Sequence, residues 1–248
     1  MNALDYVEIA ERPLEISTPT SRRALLQLAA TCRVKDGTDV LDIGSGHGLL
    51  LRLWARHWAV RGTGVDRSAD AVGQARRKAE AERVSDRVRF VVGEAADLPM
   101  RPEGHDVVTC VGASFALGGF APAVAWMAGR VRPGGILAVG ELFLVHPVSA
   151  ETLRREQAAD LRTREQLLDA LAEQNVRLLG VMPASTREWD RYCVSSWRAV
   201  AAWARANPLH PDRTRLEHEA DTWRRRYRRF ARSSVGWAFF VAERSCVR

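Results

Sequence analysis

Short apolar segments alternate with amphipathic ones along much of the chain, and this alternation restricts the fold more than any other feature. The apolar segments are typical of buried strands and lie at residues 39–43, 61–65, 88–92, 105–111 and 136–145. The segments between them repeat apolar side chains at helical spacing, at residues 49–58, 69–83 and 121–130. A chain that alternates strand and helix in this way predicts a parallel sheet with helices on both faces.

The rest of the chain is mainly helical. Helices are predicted at residues 22–33, 149–175 with a break at 161–163, 188–206 and 212–232. Two more strands are predicted, at residues 177–182 and 235–241. The sequence therefore predicts a seven-stranded sheet with helical additions before and after the sixth strand.

Composition excludes several classes of protein. No basic segment followed by an apolar stretch opens the sequence, so we expect no signal peptide. The longest apolar run, Ile136–Val145, contains Glu141 and is too short to span a membrane. The four cysteines are scattered, which favours reduced thiols in a cytoplasmic protein over disulfides or a zinc site. The six histidines do not pair at ligand spacing, and we predict no metal site.

The first strand runs into a glycine-rich loop, Gly44-Ser45-Gly46-His47-Gly48, which precedes a helix. Glycines let the backbone turn sharply and approach a ligand closely, and the free N–H groups of a helix N-terminus favour an anionic group. A loop that binds a dinucleotide would carry its third glycine at position 49, where this chain has Leu49. The spacing disfavours a dinucleotide, and a tight turn without a ligand is the alternative.

Later strands also end in polar segments. Asp66 closes the second strand, where a carboxylate can accept hydrogen bonds from both ribose hydroxyls of an adenosine, as in enzymes that bind NAD. An acidic cap of the next helix is the alternative. The third strand is followed by Gly93-Glu94-Ala95-Ala96-Asp97-Leu98-Pro99, and the fourth has the sequence Asp106-Val107-Val108-Thr109-Cys110-Val111-Gly112.

In this order, these segments and the later Arg132-Pro133-Gly134-Gly135 resemble the motifs of class I S-adenosylmethionine-dependent methyltransferases. The resemblance implies a Rossmann-like α/β fold, in which a seven-stranded, mostly parallel sheet has an antiparallel last strand and helices on both faces. It also implies a single domain over residues 1–248. The cofactor-binding half would cover about 20–145, and a helical substrate-side half about 146–248.

By this resemblance the glycine loop wraps the methionine part of S-adenosylmethionine, Asp66 holds the ribose, and the segment after the third strand recognises adenine. The family usually has an aspartate where this chain has Glu94, so the side-chain contact departs from the pattern there. The product would be S-adenosylhomocysteine. The expected cofactor-binding residues are Asp42, Gly44, Ser45, Gly46, Asp66, Arg67, Glu94, Ala95, Cys110 and Val111.

Two sequence motifs that are absent at the fourth strand help to indicate the class of methyl acceptor. No Asn/Asp-Pro-Pro-aromatic segment, typical of enzymes that methylate nitrogens in DNA and protein, follows it, and Cys110 has no preceding proline. Over nearly the whole chain, segments such as Trp189-Asp190-Arg191-Tyr192 and Gly236-Trp237-Ala238-Phe239 resemble a group of bacterial small-molecule methyltransferases. The resemblance implies a small-molecule acceptor. A non-catalytic cofactor-binding protein is an alternative.

Four residues are candidates for the catalytic base or for contact with the acceptor. Glu141 is a carboxylate in an apolar strand near the carboxyl edge of the sheet, where ligands bind in such folds. Burial would raise its proton affinity, which suits a base or a partner for a cation; a structural carboxylate is the alternative. The other candidates are His146, Asp190 and Tyr192.

One segment favours a nucleic-acid partner. The net charge is +7, and residues 223–230 place aromatic side chains among arginines, as in proteins that stack on RNA bases. However, five residues recur at spacings of three and four, which is typical of the buried stripe of an amphipathic helix: Leu216, Ala220, Trp223, Tyr227 and Phe230. We therefore predict a packed helix with solvated arginines. An RNA methyltransferase is the alternative.

Overall fold

The computed structural model describes residues 5–246, which include a seven-stranded sheet. The strands are β1 (Asp39–Ile43), β2 (Arg61–Asp66), β3 (Val88–Val92), β4 (His105–Val111), β5 (Val131–Leu144), β6 (Val176–Pro183) and β7 (Val235–Arg244). Their order in the sheet is β3-β2-β1-β4-β5-β7-β6. The first five strands are parallel, whereas β7 pairs antiparallel with β5 and β6. The predicted sheet is therefore confirmed.

Helices cover both faces of this sheet. They are α1 (Tyr6–Glu11), α2 (Arg22–Thr31), α3 (Leu49–Trp58), α4 (Ala69–Ala81), α5 (Phe120–Arg130), α6 (Ala150–Arg155), α7 (Arg164–Ala172), α8 (Thr186–Ala206), α9 (Arg213–Arg226) and α10 (Arg232–Ser234). Helices α2, α3 and α4 contribute to the core on one face, and α5 and α7 to the core on the other. Helices α6 and α7 precede β6 and α8 to α10 follow it, as the sequence predicts.

The central strands are apolar on both sides because both faces of the sheet are covered. Along β5, Ile136 and Ala138 pack into the core under α2 and α3, whereas Leu137 and Val139 pack into the core under α5. This alternation follows from the geometry of a strand, which points successive side chains to opposite faces.

The start of β5 and the presence of α1 differ from the prediction. Strand β5 begins at Val131, so the Pro133-Gly134-Gly135 segment lies within the strand and not in a turn before it. The pairing with β4 shifts register next to His105, and Gly134 has a φ of +74°, so an irregularity in the ladder takes the place of the turn. Helix α1 was not predicted, because its six residues are too few to show a clear apolar period.

The predicted helix over residues 212–232 is correct only in part. Helix α9 ends at Arg226, a π-helical turn follows over Tyr227–Ala231, and α10 completes the segment. Tyr227 and Phe230 are buried, but Trp223 is 45% exposed and does not belong to the buried stripe. Its ring instead lies on the surface beside Arg226, whose guanidinium carbon is 4.8 Å from the ring centroid.

Candidate functional site

The glycine loop after β1 has a backbone that favours glycine. Gly44 and Gly46 have φ values of +65° and +50°, in the left-handed region. A Cβ on Gly44 would overlap the Cβ of Ala113, whereas a Cβ on Gly46 would have no atom within 4 Å. Ser45, between them, is buried, and its hydroxyl has no hydrogen-bond partner. The loop therefore presents open space at Gly46 and an unsatisfied buried hydroxyl beside it.

Asp66 joins the end of β2 to this loop. Its carboxylate accepts a hydrogen bond from the backbone N–H of Gly46 at 2.8 Å and another from the N–H of Ser68 at 2.9 Å. The first bond holds the loop against the carboxyl end of β2, and the second helps to begin α4. The carboxylate is half-buried, so part of it remains exposed to solvent.

Asp42 lies deeper, one residue before the end of β1. It is 3% exposed and accepts a hydrogen bond from the hydroxyl of Thr109 at 2.7 Å. Burial raises the pKa of Asp42 to about 7, because a carboxylate loses solvation away from water, and the nearby charge of Asp66 adds to this. The unliganded protein therefore carries a partly protonated Asp42 near neutral pH.

This shift makes the stability of the unliganded protein depend on pH. The pKa of Asp42 is higher in the folded than in the unfolded state. The contribution of this carboxyl group to the free energy of unfolding is therefore fully present below pH 4 and is lost as pH rises through 7. We expect Asp42→Asn to raise the Tm at pH 8, and the gain to vanish towards pH 4. The exposed Asp36→Asn variant is the control, and a Tm difference that does not vary with pH would contradict the assignment.

The segment after β3 lies beside β2. The N–H of Gly93 donates to the carbonyl of Asp66 at 3.0 Å, Glu94 is exposed, and Ala95 is buried at the start of a 3-10 turn. The guanidinium carbon of Arg67, which follows β2, lies 5.9 Å from the ring centroid of Phe115, which follows β4.

Sequence reasoning missed Phe115. It belongs to a 3-10 turn, Ser114–Leu117, that follows β4, and its ring is 65% exposed. The available signal was a large aromatic residue between Ser114 and Ala116 directly after a strand that ends at the carboxyl edge. A ring this exposed, beside Arg67, lies on the surface next to the ends of β2 and β4 and not in the core.

The end of β4 is closely packed. Cys110 is fully buried, and burial raises the pKa of its thiol to about 12, so it stays protonated. Val111 is half-buried, and the next residue, Gly112, has a φ of +74°.

All four cysteines lie within residues 5–246, and each is a free thiol, as predicted.

Glu141 lies near the carboxyl end of β5 and is half-buried. Its carboxylate accepts hydrogen bonds from the hydroxyl of Ser114 and from the N–H of Leu142, the latter at 2.8 Å. Burial raises the pKa of Glu141, and these two hydrogen bonds offset part of the increase. The carboxylate therefore has polar partners and a raised proton affinity.

The other three candidates have different surroundings. His146 is exposed beyond β5, and its Nδ1 lies 3.2 Å from the carbonyl of Pro147. Asp190 is paired with Arg232 at 3.0 Å and accepts a hydrogen bond from the hydroxyl of Tyr227. The hydrogen bond from Arg232, followed by that from Tyr227, lowers the pKa of Asp190. This carboxylate is thus held ionised by structural partners.

Tyr192 connects α8 to the N-terminus of the chain. Its hydroxyl donates to Glu11 at 2.6 Å, and its ring stacks on Trp189 with centroids 6.0 Å apart and planes 11° apart. Burial, followed by the charge of Glu11, raises the pKa of Tyr192. Tyr192 is therefore a neutral hydrogen-bond donor that ties α8 to α1.

Residues 5–21, which we call the N-terminal strap, cross the carboxyl edge of the sheet. The carbonyl of Leu14 lies 2.9 Å from Nδ1 of His47, in the glycine loop. Further along, a Cβ on Gly112 would lie only 2.5 Å from the methyl of Thr18. The strap therefore covers the ends of β1 and β4. Sequence reasoning assigned it no role, because contacts of this kind are tertiary and carry no local pattern.

The described part of the chain has neither a metal-binding group of side chains nor a membrane-spanning helix. Within residues 5–246, no group of three or more His, Cys, Asp or Glu side chains is arranged to hold a metal ion. Over the same residues, no helix combines the length and apolar character needed to span a bilayer.

Comparison with known proteins identifies the family. A family model described as a methyltransferase domain matches residues 40–135. The uncharacterized protein YjhP of Escherichia coli is 33% identical over 237 residues, covering 94% of this chain and 95% of that protein. The erythromycin 3''-O-methyltransferase of Saccharopolyspora erythraea is 34% identical over 120 residues, covering 47% of this chain and 38% of that protein.

A solved structure gives the same answer for the fold and the cofactor. The S-adenosylmethionine-dependent methyltransferase of Geobacter sulfurreducens, in complex with S-adenosylhomocysteine, superposes with a TM-score of 0.89 at 31% identity. The match covers 98% of this chain and 99% of that one. The chain therefore belongs to the class I S-adenosylmethionine-dependent methyltransferases, with S-adenosylmethionine as cofactor and S-adenosylhomocysteine as product.

Proposed function

We propose that the protein methylates a small-molecule acceptor, held between the carboxyl edge of the sheet and the N-terminal strap. The position of the strap carries this proposal. It contacts the glycine loop through Leu14 and His47, and it packs on the end of β4 through Thr18 and Gly112. A small molecule fits a cleft that is covered in this way, whereas a macromolecular acceptor would have to displace the strap.

The residues at the loop fit the cofactor. The open space at Gly46 allows close approach of a ligand where the family resemblance expects the methionine part. When bound, S-adenosylmethionine supplies a methyl group on a sulfonium, and the sulfur leaves with the electrons of the broken bond. We propose that Asp42 and Asp66 hold the amino acid and ribose parts, and that Arg67, Glu94, Ala95, Cys110 and Val111 line the adenine side.

Among the four candidate residues, we propose Glu141 as the group that meets the acceptor. Its raised pKa suits a general base, and it lies beside Ser114, two residues after Gly112. Asp190 is less suitable because Arg232 holds it as an ion pair. His146 is less suitable because its ring is exposed beyond the strand.

The arginine-rich helix supports this proposal over an RNA methyltransferase. Arg229 pairs with Glu156 at 2.8 Å, and Arg232 pairs with Asp190. Partners of this kind reduce the charge available to a phosphate backbone. The name of one relative, erythromycin 3''-O-methyltransferase, also indicates that the relative acts on a small molecule. The cytoplasmic location stays a prediction.

Isothermal titration tests the cofactor assignment in this protein directly. We expect S-adenosylhomocysteine to bind with micromolar affinity, and NAD to show no measurable binding, because the loop has Leu49 where a dinucleotide loop requires glycine. Binding of NAD that is tighter than that of S-adenosylhomocysteine would contradict the proposal.

The matched variant for this titration is Asp66→Ala. It removes the carboxylate that holds the N–H of Gly46 and that we expect to bind the ribose. Hydrogen bonds to a charged group contribute about 1.5–3 kcal/mol each, so we expect the dissociation constant of S-adenosylhomocysteine to rise tenfold or more. An unchanged constant in a folded variant would show that other residues hold the ribose.

A further inference from the structure

A groove of about 490 Å³ lies at the end of the N-terminal strap, between the start of α2, the end of β6 and the start of α8. Among the described residues that line it are three arginines, Arg23, Arg187 and Arg191, and one acidic residue, Glu188. No residue of the glycine loop and none of the four candidate bases lines this space. The groove is therefore strongly basic and shares no residue with the proposed site of methyl transfer.

Two hydrogen bonds join the walls of this groove. The hydroxyl of Ser21, the N-cap of α2, donates to Glu188 of α8 at 2.5 Å. The guanidinium of Arg191, also on α8, donates to the carbonyl of Thr20 at 2.9 Å. Both bonds connect α8 to the residues where the strap ends and α2 begins. The two helix starts that carry the three arginines are therefore held in a fixed position relative to each other.

Glu188 is engaged by the caps of the two helices. Its carboxylate accepts hydrogen bonds from the hydroxyls of Ser21 and Ser185 and from the N–H of Ser185. Burial raises the pKa of Glu188, but these hydrogen bonds outweigh burial, and the pKa lies below its ordinary value. Neither Arg23 nor Arg187 forms an ion pair with a described residue. One ionised carboxylate therefore leaves most of the positive charge in the groove unpaired.

Unpaired arginines also occur elsewhere on this basic protein, and two features distinguish the groove. The first is that the N-termini of α2 and α8 both line it. The first N–H groups of a helix have no partner within the helix and carry partial positive charge, and each cap serine binds only one of them here. Arginines beside two helix N-termini favour an anion that accepts several hydrogen bonds at once.

The second feature is a buried hydroxyl. Thr20 lines the groove and is 4% exposed, and its hydroxyl has no hydrogen-bond partner among the described residues. A buried polar group without a partner destabilises the folded protein. An anion bound in the groove can accept a hydrogen bond from this hydroxyl, which a cation cannot do.

We propose that this groove binds a small ligand that carries a phosphate monoester, with Arg23, Arg187 and Arg191 around the phosphate. The charge of the groove selects this class. Three arginines and one glutamate leave two positive charges, and each helix N-terminus adds about half a charge more. A phosphate monoester carries about −1.5 to −2 near pH 7, whereas a carboxylate or one phosphate of a nucleic acid carries a single negative charge. The binding site does not depend on the identity of the methyl acceptor.

Phenyl phosphate and benzoate test the proposal, because they share a ring and differ in the charge of the anion. Each is titrated into the protein saturated with S-adenosylhomocysteine, so that the cofactor site is occupied. We expect phenyl phosphate to bind at one site, about tenfold more tightly than benzoate, because hydrogen bonds from guanidinium groups to a phosphate are charge-assisted. We expect Arg23→Gln combined with Arg187→Gln to weaken the binding of phenyl phosphate by about tenfold or more. Arg191 is left unchanged because it also holds Thr20.

The matched control combines Arg198→Gln with Arg205→Gln, which removes the same charge from two exposed arginines of α8 that do not line the groove. This variant should bind phenyl phosphate as the wild-type protein does. All four arginines are exposed, so the Tm of both variants without ligand should stay unchanged. No binding of phenyl phosphate, equally tight binding of benzoate, or an equal loss of affinity in the two variants would overturn the proposal.

A short single-stranded RNA is titrated in the same way, because arginines also bind the backbone of nucleic acids. We expect no RNA binding that depends on Arg23 and Arg187. RNA that binds the wild-type protein and the control variant, but not the variant of these two arginines, would show that the groove takes a nucleic acid and would contradict a small phosphate ligand.

Discussion

Glu141→Gln is expected to slow methyl transfer about a hundredfold, within the range of a lost general base, while the affinity for S-adenosylhomocysteine changes by less than about twofold. Glutamine keeps the shape of the side chain: its amide oxygen can accept from the N–H of Leu142, and its NH2 group can donate to the Ser114 hydroxyl, which here donates to the carboxylate. It cannot accept a proton. The effect should therefore appear in the rate of transfer and not in the cofactor titration.

The measurement is single-turnover transfer of a tritiated methyl group at saturating cofactor, to the acceptor that the wild-type protein uses in a screen. The rate of the wild-type protein should fall as pH drops through the raised pKa of Glu141, because the base must be ionised. Near-wild-type transfer in Glu141→Gln would remove this residue from the site. His146, Asp190 and Tyr192 would then remain as candidates for the group that meets the acceptor.

Tyr227→Ala is expected to lower the free energy of unfolding by about 3–5 kcal/mol, as truncation of a buried aromatic side chain generally does. Tyr227 is 5% exposed and lies at the centre of an aromatic cluster. Its ring meets Trp189 and Trp197 edge-to-face, at centroid distances of 5.9 Å and 5.6 Å. Its hydroxyl donates to Asp190, which also binds Arg232.

Two matched variants separate the causes of this loss. Tyr227→Phe keeps the ring and removes only the hydroxyl, so it should be less harmful than Tyr227→Ala. Trp223→Ala truncates a ring that is 45% exposed, and we expect a change of less than about 1 kcal/mol, as for most surface substitutions. Denaturant unfolding measures all three, and a loss in Tyr227→Ala as small as that in Trp223→Ala would contradict the central position of this ring.

The central strands could be predicted almost residue by residue. Strands β1 and β4 begin and end where their apolar segments do, because both sides of each strand are buried and turn residues follow. The cofactor loop could be predicted for a similar reason, since positive φ values and close approach restrict the residue types at Gly44 and Gly46.

The side of the sheet that we propose for the acceptor was harder to predict because its contacts join distant segments. Nothing local to Glu11 indicates that Tyr192, far along the chain, will bind it. The stripe counted at spacings of three and four likewise includes Trp223 wrongly, because that residue is 45% exposed although the spacing continues through it. Phe115 lies in a short 3-10 turn, which leaves little periodic signal.

The N-terminal strap separates two kinds of evolutionary change in this protein. The glycine loop and the core of the sheet are constrained by backbone conformation and packing, so substitutions there endanger the fold and the cofactor together. The strap meets them through a few contacts, such as Leu14 on His47 and Thr18 on Gly112. Under the proposed function, substitutions and changes of length within the strap would alter which acceptor fits while the residues that bind the methyl donor stay intact.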